Sequence, residues 1–333
     1  LLSENVLNSL RNTLFYARFG ILVLLILFLL DNYKKFKLLF FYSLAVTLLI
    51  IIIFSIVDFF LFYDHVHVTR LSGLFGEEKV QGSYLLRITP LFILTYFYNK
   101  EFLTKKINYI FYTILFFVFI LIILSAERSA IFLMIIGIFL TFIFLKIKLK
   151  NIFSLLLSIF LLISLIFTLN PTVKERIIDK TYNLFFSTHD SNLEYKKDIN
   201  LFSQGHQDHF TSAIVMIKKH YLIGVGVRNF RNECKKDIYK KVGIYYCTTH
   251  PHNTYLQILS ETGFIGFLFF MIFLGFILIK AFQYLKGIYI NHEKVSINYG
   301  LCFVIILVNF FPLTTTGSFF NNWLSTLYFM PIP

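Results

Sequence analysis

Long apolar runs with almost no charge constrain this chain more than any other feature of its sequence. The segment 107–125 contains no charged residue, and 43 of the 333 residues are Phe. A helix of about 20 apolar residues spans the hydrocarbon core of a bilayer and satisfies its own backbone hydrogen bonds there. Because the runs are continuous, the sequence predicts an all-α fold, a polytopic transmembrane helical bundle. The predicted spans are 14–30, 38–62, 83–98, 107–125, 130–145, 152–169, 254–280 and 297–313, with a ninth starting near Asn321 as an open alternative.

Charges in the short loops predict the orientation of these spans. Cytoplasmic loops are enriched in Lys and Arg, and alternating spans place most loop lysines on one side. The long segment 170–252 is then external, which in a bacterial inner membrane means periplasmic. We therefore expect a single membrane domain over 1–333, with a partly helical periplasmic loop 170–252 inserted between spans. The lysines on the cytoplasmic side are Lys34, Lys35, Lys37, Lys100, Lys105, Lys106, Lys146, Lys148, Lys150, Lys280, Lys286 and Lys294.

The basic balance of the chain follows from the same topology. The formal net charge is +13, and Lys-rich loops together with contacts to lipid headgroups account for it. The charge is therefore no argument for nucleic acid, and no nucleic-acid-binding module lies between the spans. The chain starts at Leu1 rather than Met, and we expect it to be a fragment of a longer protein.

Arginine and histidine are distributed differently from lysine. The sorting of positive charge disfavours arginine outside the cytoplasm, so external arginines call for another explanation. A guanidinium binds phosphate oxygens through two parallel hydrogen bonds, and a group of them suits a diphosphate. The alternative is that each pairs with an acidic neighbour or a lipid headgroup. The external residues are Arg70, Arg128, Arg176, Arg228, Arg231, His65, His67, His189, His206, His209, His220, His250 and His252.

The external loop carries a helical pattern. Apolar residues recur at helical spacing between Phe210 and His220. Gly224 and Gly226 then predict a turn that ends this helix and packs closely on the membrane domain, and a second short helix is expected to open around Arg228. As a phosphate-binding signal the two glycines are weak, because no strand precedes them.

Two cysteines, Cys234 and Cys247, fall in the same loop. In an oxidising periplasm they form either a disulfide or two free thiols, and the sequence leaves both open. A metal site built from Cys247, His250 and His252 has suitable residue types but no familiar ligand spacing. We expect no metal and no cofactor.

Five segments together carry a family resemblance. The stretch from His250 to Gly263 (HPHNTYLQILSETG) enters a long span and is similar to the signature of the O-antigen ligase and O-antigen polymerase superfamily. The segments from Arg70 to Gly76 (RLSGLFG) and from Ser125 to Ala130 (SAERSA) resemble two external loops of that family. The segment from Ile217 to Phe230 resembles its glycine-containing motif, and Phe311 to Phe320 (FPLTTTGSFF) resembles its late external loop.

This resemblance implies an enzyme of the bacterial inner membrane whose active site faces the periplasm. The family consists of metal-independent, inverting glycosyltransferases used in lipopolysaccharide biosynthesis. The donor is a glycan on undecaprenyl diphosphate. The acceptor is lipid A-core for a ligase, or the next lipid-linked repeat unit for a polymerase. The motifs do not distinguish these two.

Particular residues fit that chemistry. Arginines near the leaving diphosphate would stabilise the charge that develops as the glycosidic bond breaks, and Arg128 and Arg228 are the first candidates. Arg70 and Arg176 are expected to contribute to substrate binding.

His252 matches the histidine of the family motif, and an imidazole is suited to accept the proton of an acceptor hydroxyl. His250 and Asn253 are candidates to orient His252 or to bind the acceptor sugar. Glu261 partners His252 or an arginine, or else makes a structural polar contact inside the bundle. The alternative for His252 is that it caps the helix beginning near Thr254.

A transporter of a small anion or a lipid-linked sugar is the competing hypothesis. External arginines would attract an anion. However, the sequence shows no pair of interrupted helices in matching halves, which many transporters use at the bilayer midplane. We therefore expect the enzyme.

Overall fold

The computed structural model describes residues 6–61, 70–186, 202–293 and 295–332, and all regular structure in these ranges is helical. This confirms the predicted all-α fold. The predicted histidines His65, His67 and His189 lie outside the described residues. The helices are α1 (Val6–Tyr16), α2 (Arg18–Asn32), α3 (Phe36–Leu61), α4 (Gln81–Asn99), α5 (Lys105–Leu124), α6 (Arg128–Leu145), α7 (Leu149–Leu169), α8 (Pro171–Lys174), α9 (Lys180–Phe186), α10 (Gln204–Lys219), α11 (Phe230–Glu233), α12 (Thr254–Tyr289), α13 (Ile297–Asn309) and α14 (Asn322–Phe329).

Six helices among the described residues are long and apolar enough to cross a membrane, which makes this a multi-pass membrane protein. The predicted span 83–98 lies on α4, which is less apolar because it contains Arg87 and several polar residues. The six helices are Ser9–Asn32, Phe36–Leu61, Lys105–Leu124, Arg128–Leu145, Lys150–Leu169 and Thr254–Tyr289.

The structure corrects the predicted boundaries near the end of the chain. The span predicted at 254–280 continues to Tyr289, whereas the one predicted at 297–313 ends at Asn309 and measures only 13 residues. The segment after Asn321 is a helix of 8 residues as far as Phe329, which is too short to cross the hydrocarbon core.

The chain divides into two compact units. The first comprises Leu1–Leu29, Asn200–Asn291 and Phe310–Pro333, and the second comprises Leu30–Ile199 and His292–Asn309. In the second unit, α13 packs on α4 and α6, and α3 packs on α4 and α5. Aromatic rings fill this core: Tyr96 stacks on Phe111 with ring centroids 3.7 Å apart.

In the first unit, α10 packs against the loop that follows it and against α12. The buried side chains here include Met216, Phe230 and Tyr239, none of which is exposed to solvent. Cys234 and Cys247 form a disulfide in the same core, so of the two alternatives left by the sequence the structure has the bonded one. The predicted helix before Gly224 is confirmed and begins earlier, at Gln204.

The segment after α10 and a break in α12 are joined through their backbones. Gly263 has φ of 67°, which interrupts the helical hydrogen bonds of α12. The freed carbonyl oxygen of Ser260 accepts from the Val225 amide at 2.9 Å, and the Phe264 amide donates to Tyr221 at 2.8 Å. This backbone pairing fixes the loop after α10 on α12, in agreement with the close packing that the sequence predicted for the two glycines.

Candidate functional site

Four histidines of the first unit form one group, here called the histidine cluster. α10 contributes His206 and His209, which share a helix face because they are three residues apart. The loop before α12 contributes His250 and His252. The ring of His252 lies 4.1 Å from that of His250 and 5.2 Å from those of His206 and His209, measured between centroids. His252 is therefore surrounded by three other imidazoles.

The backbone holds His252 in place. Its φ of 55° is unusual for a residue with a side chain, and its carbonyl oxygen accepts from the Thr316 amide at 2.9 Å. The next residue, Asn253, is the N-cap of α12: its Oδ1 accepts from the amides of Tyr255 and Leu256. The alternative that His252 caps this helix is therefore wrong, because Asn253 does so.

The amide of Asn253 is occupied at both ends. Its Oδ1 serves the helix cap, and its Nδ2 donates to the carbonyl oxygen of Pro312 at 2.9 Å. Asn253 thereby connects the start of α12 to the segment that follows α13 and fixes the residue before it. This arrangement favours positioning of His252 over direct contact with a sugar.

The surroundings keep three rings of the histidine cluster, those of His209, His250 and His252, neutral at pH 7. Burial, with His250, His206 and His209 nearby, lowers the pKa of His252 to about 2. Burial likewise lowers the pKa of His250 to about 4, and that of His209 below its ordinary value. A neutral imidazole has a free lone pair, so these rings are able to accept a proton or to hydrogen-bond a hydroxyl.

Glu261 has a structural role that the sequence left open. Its side chain is fully buried. One carboxylate oxygen accepts from the Arg228 amide at 2.8 Å and the other accepts from the Phe230 amide at 3.2 Å. Of the predicted partners, it therefore meets the backbone of an arginine, not a histidine ring or a guanidinium. Glu261 holds Arg228 in its left-handed conformation, with φ of 59°.

Gln257 extends this network and was not predicted. Its Nε2 donates to Glu261 at 3.4 Å and to Ser318 Oγ at 2.9 Å, while its Oε1 accepts from the Phe319 amide at 2.7 Å. The spacing of Gln257 and Glu261, four residues apart in an apolar helix, was the signal that could have found it.

Three arginines of the second unit form another group, here called the arginine cluster: Arg70, Arg128 and Arg176. They surround the turn that precedes α6, where Ala126 has φ of 50°. Arg70 Nε donates to the Ser125 carbonyl at 3.4 Å, and Arg176 Nε donates to that of Ala126 at 3.2 Å. The turn thus brings together three residues that are far apart in sequence.

The arginine cluster carries more positive than negative charge. Arg70 pairs with Glu127 at 3.5 Å, so the salt-bridge alternative holds for this residue. The same carboxylate already accepts from the Gly82 amide at 2.7 Å and from the Ser83 hydroxyl at 2.8 Å. Burial lowers the pKa of Arg70; the carboxylate of Glu127 opposes this shift, and the positive charge of Arg176 adds to it. An anion would relieve this imbalance.

Other predicted residues have separate partners. His220 Nε2 lies 3.7 Å from a carboxylate oxygen of Glu233, away from the histidine cluster. Cys247 is bonded to Cys234 and is no thiolate ligand, so the metal set of Cys247, His250 and His252 is wrong. Within the described ranges, no group of three His, Cys, Asp or Glu side chains is arranged to hold a metal ion.

Residues 113–271 match the family described as O-antigen ligase. The match confirms the resemblance to the O-antigen ligase and polymerase superfamily. It contains Arg128, Arg176 and Arg228 together with the histidine motif before α12, whereas Arg70 lies outside it. No curated protein matches the chain.

Proposed function

We propose that this O-antigen ligase-like protein transfers a glycan from undecaprenyl diphosphate to an acceptor hydroxyl at the periplasmic face of the bacterial inner membrane. The acceptor is lipid A-core in a ligase, or a lipid-linked repeat unit in a polymerase. The observation that carries the proposal is the placement of His252. It lies within the family match, is held at an unusual backbone conformation, and is surrounded by three further imidazoles.

In the proposed reaction, His252 acts as general base. It takes the proton of the acceptor hydroxyl while that oxygen attacks the anomeric carbon of the donor. The bond between this carbon and the diphosphate oxygen breaks with inversion, and the diphosphate leaves with its electron pair. An anionic donor nearby would raise the low pKa of His252, because negative charge favours the imidazolium form.

His250 and Asn253 support this base in different ways. His250 Nδ1 lies 2.9 Å from the Thr249 hydroxyl and Nε2 lies 3.4 Å from the Thr316 carbonyl, so its ring is fixed beside His252. Asn253 fixes the chain through the helix cap. We assign both as positioning residues.

Arginines are proposed to stabilise the phosphate charge, each within its own unit. In the first unit, Glu261 fixes the backbone of Arg228, which leaves the guanidinium free to bind the leaving diphosphate. In the second unit, Arg128 and Arg176, with Arg70, would bind phosphate oxygens of a lipid-linked substrate. Base and charge stabilisation both come from side chains, so the proposed transfer is metal-independent.

The test is a lipopolysaccharide gel from a deletion strain that carries wild type, His252→Ala or the control His220→Ala. We expect wild type and the control to restore the ladder. His252→Ala should reduce transfer by about 10²–10⁴-fold while inserting normally. Core bearing one repeat in the deletion strain identifies a polymerase, and bare core with long chains left on the lipid carrier identifies a ligase.

Two outcomes would contradict the proposal. Wild-type transfer by His252→Ala would remove the general-base role. An unchanged ladder in the deletion strain would remove both enzymes and favour the transporter.

A further inference from the structure

A small cavity in the first unit lies beside the start of α2. Its polar lining comes from Arg18, Arg228, Asn12 and Asn322, and its apolar lining is largely aromatic. Its volume is about 30 Å³, which is room for two or three water molecules at roughly 10–15 Å³ each. The cavity therefore accommodates a compact polar group and not a sugar ring.

Two guanidiniums line this cavity. Arg228 Nε is buried without a hydrogen-bond partner. Glu261 is the acidic group that interacts with Arg228, and both of its carboxylate oxygens accept hydrogen bonds from backbone amides. Burial, followed by the charges of Arg231 and Arg18, lowers the pKa of Arg228. Two cations with an unsatisfied buried donor favour an anion as the occupant.

Arg18 is held so that it can face such an anion. One of its terminal nitrogens donates to Asn322 Oδ1, and its guanidinium lies over the ring of Phe19, 5.0 Å from the centroid. The hydrogen bond and the ring orient the planar group, and further N–H donors remain because a guanidinium has five.

The surroundings indicate that the anion belongs to a lipid. Arg18 lies in the candidate span Ser9–Asn32. Leu14, Ile21 and Leu24 of this span are each more than 60% exposed in the protein, as expected for side chains that contact lipid tails. A lipid that carries a phosphate combines an anionic group with apolar tails, and it therefore matches a cationic cavity beside an apolar surface.

We propose that Arg18 and Arg228 together bind a phosphate group of a lipid in this cavity. The inference rests on the proposed function for Arg228 and adds Arg18 as a binding residue. The phosphate belongs either to the diphosphate of the polyprenyl carrier or to the headgroup of a bulk anionic phospholipid. Both sources present the same oxygens to the two guanidiniums.

Trp323 provides a direct readout. It is the one tryptophan of the chain, and it follows Asn322, which lines the cavity. The full chain would be placed in phosphatidylcholine nanodiscs and titrated with polyprenyl diphosphate or with phosphatidylglycerol. The affinity is read from Trp323 fluorescence and from native mass spectrometry. No acceptor or glycan is present, so the result does not depend on whether the protein transfers one.

The variants are Arg18→Gln, Arg18→Lys and the control Arg11→Ala. Arg11 is an exposed cation on α1, near Phe15 and outside the lining. We expect Arg18→Gln to weaken binding about tenfold, corresponding to one charge-assisted hydrogen bond. Arg18→Lys should retain part of the lost affinity. The control Arg11→Ala should bind the lipid as tightly as wild type does. Circular dichroism checks that each variant is folded. If Arg18→Gln does not fold, Arg18→Lys provides the test.

The two titrations separate the sources. Weakening for polyprenyl diphosphate assigns the cavity to the carrier, and weakening for phosphatidylglycerol alone assigns it to bulk lipid. Either result supports the phosphate site. Unchanged affinity for both lipids in the Arg18 variants, or an equal loss in Arg11→Ala, overturns it, whatever the lipopolysaccharide gel shows.

Discussion

The carboxylate of Glu261 accepts a hydrogen bond from the backbone amide of Arg228 at 2.8 Å, although 33 positions separate the two residues. A buried acid thus determines where an arginine stands without touching its guanidinium. Of the roles that the sequence left open for Glu261, the structure has a structural contact with the loop that carries Arg228.

Replacing Glu261 should therefore destabilise the first unit. Glu261→Gln turns one carboxylate oxygen into an N–H₂ group facing a backbone donor, and leaving a buried donor unsatisfied costs about 1–3 kcal/mol. We expect a lower midpoint in thermal unfolding in detergent. The control is Glu77→Gln, at an exposed acid. Equal midpoints for the two variants would show that the contact with Arg228 contributes nothing.

Gly263→Ala should be more harmful than a glycine change elsewhere in α12. A Cβ at Gly263 would lie 2.3 Å from the Ile223 amide nitrogen, and the φ of 67° disfavours a side chain. We expect a loss of at least about 2 kcal/mol in stability. Gly275→Ala is the matched control, because a Cβ there meets nothing within 4 Å, and alanine is the better helix former. If both changes had the same effect, the backbone pairing would not matter for stability.

Stability should fall as the pH is lowered below about 6.5, the ordinary pKa of histidine. In the folded protein the pKa is about 4 for His250 and about 2 for His252, and unfolding returns both to the ordinary value. At a pH between the folded and the ordinary pKa, the unfolded chain therefore binds more protons than the folded protein. Stability is then fully present above pH 6.5 and decreases by at most about 1.4 kcal/mol per pH unit for each group. Denaturant titrations at pH 7.5, 6.0 and 4.5 measure the slope.

A variant pair assigns that slope to the histidine cluster. His252→Asn removes one titrating ring and retains a residue that tolerates the left-handed backbone. His292→Asn makes the same change at an exposed histidine that has the same φ of 55°. We expect a flatter pH dependence for the first variant only. The same slope in both would place the titration elsewhere in the chain.

Lysine should not substitute for Arg128 in binding phosphate. The Arg128 guanidinium donates to the Lys180 carbonyl at 3.5 Å. To bind a phosphate at the same time it uses its other N–H groups, which lie in one plane, and lysine has no such planar set of donors. We expect about a tenfold or larger loss in affinity for inorganic diphosphate, measured by calorimetry on the detergent-solubilised chain. Lys148→Arg, in a loop predicted to be cytoplasmic, is the control. Full binding by Arg128→Lys would argue against two-point recognition.

The helices and their order were predictable because apolar length alone specifies a membrane span. α5 and α6 match the predicted 107–125 and 130–145 within a few residues. α13 was predicted too long because Phe310 to Leu313 are mostly apolar, and only the turn that follows shows where the helix ends.

The site was predictable in part. The motif identified His252, but nothing in the sequence indicated that His206 and His209 face it, since 43 or more positions separate them. The partners of Glu261 are backbone amides, which no side-chain pattern reveals. The proposed role of Arg18 likewise depends on a cavity lined by residues from three distant parts of the chain.

The disulfide between Cys234 and Cys247 has a consequence for timing. It closes a loop of the chain that ends three residues before His250, and such a bond forms and persists only in an oxidising compartment. In the periplasmic orientation proposed above, the segment that carries His250 and His252 is restrained only after it has left the reducing cytoplasm. A newly made chain would then complete its histidine cluster on the side of the membrane where the proposed function places a lipid-linked substrate.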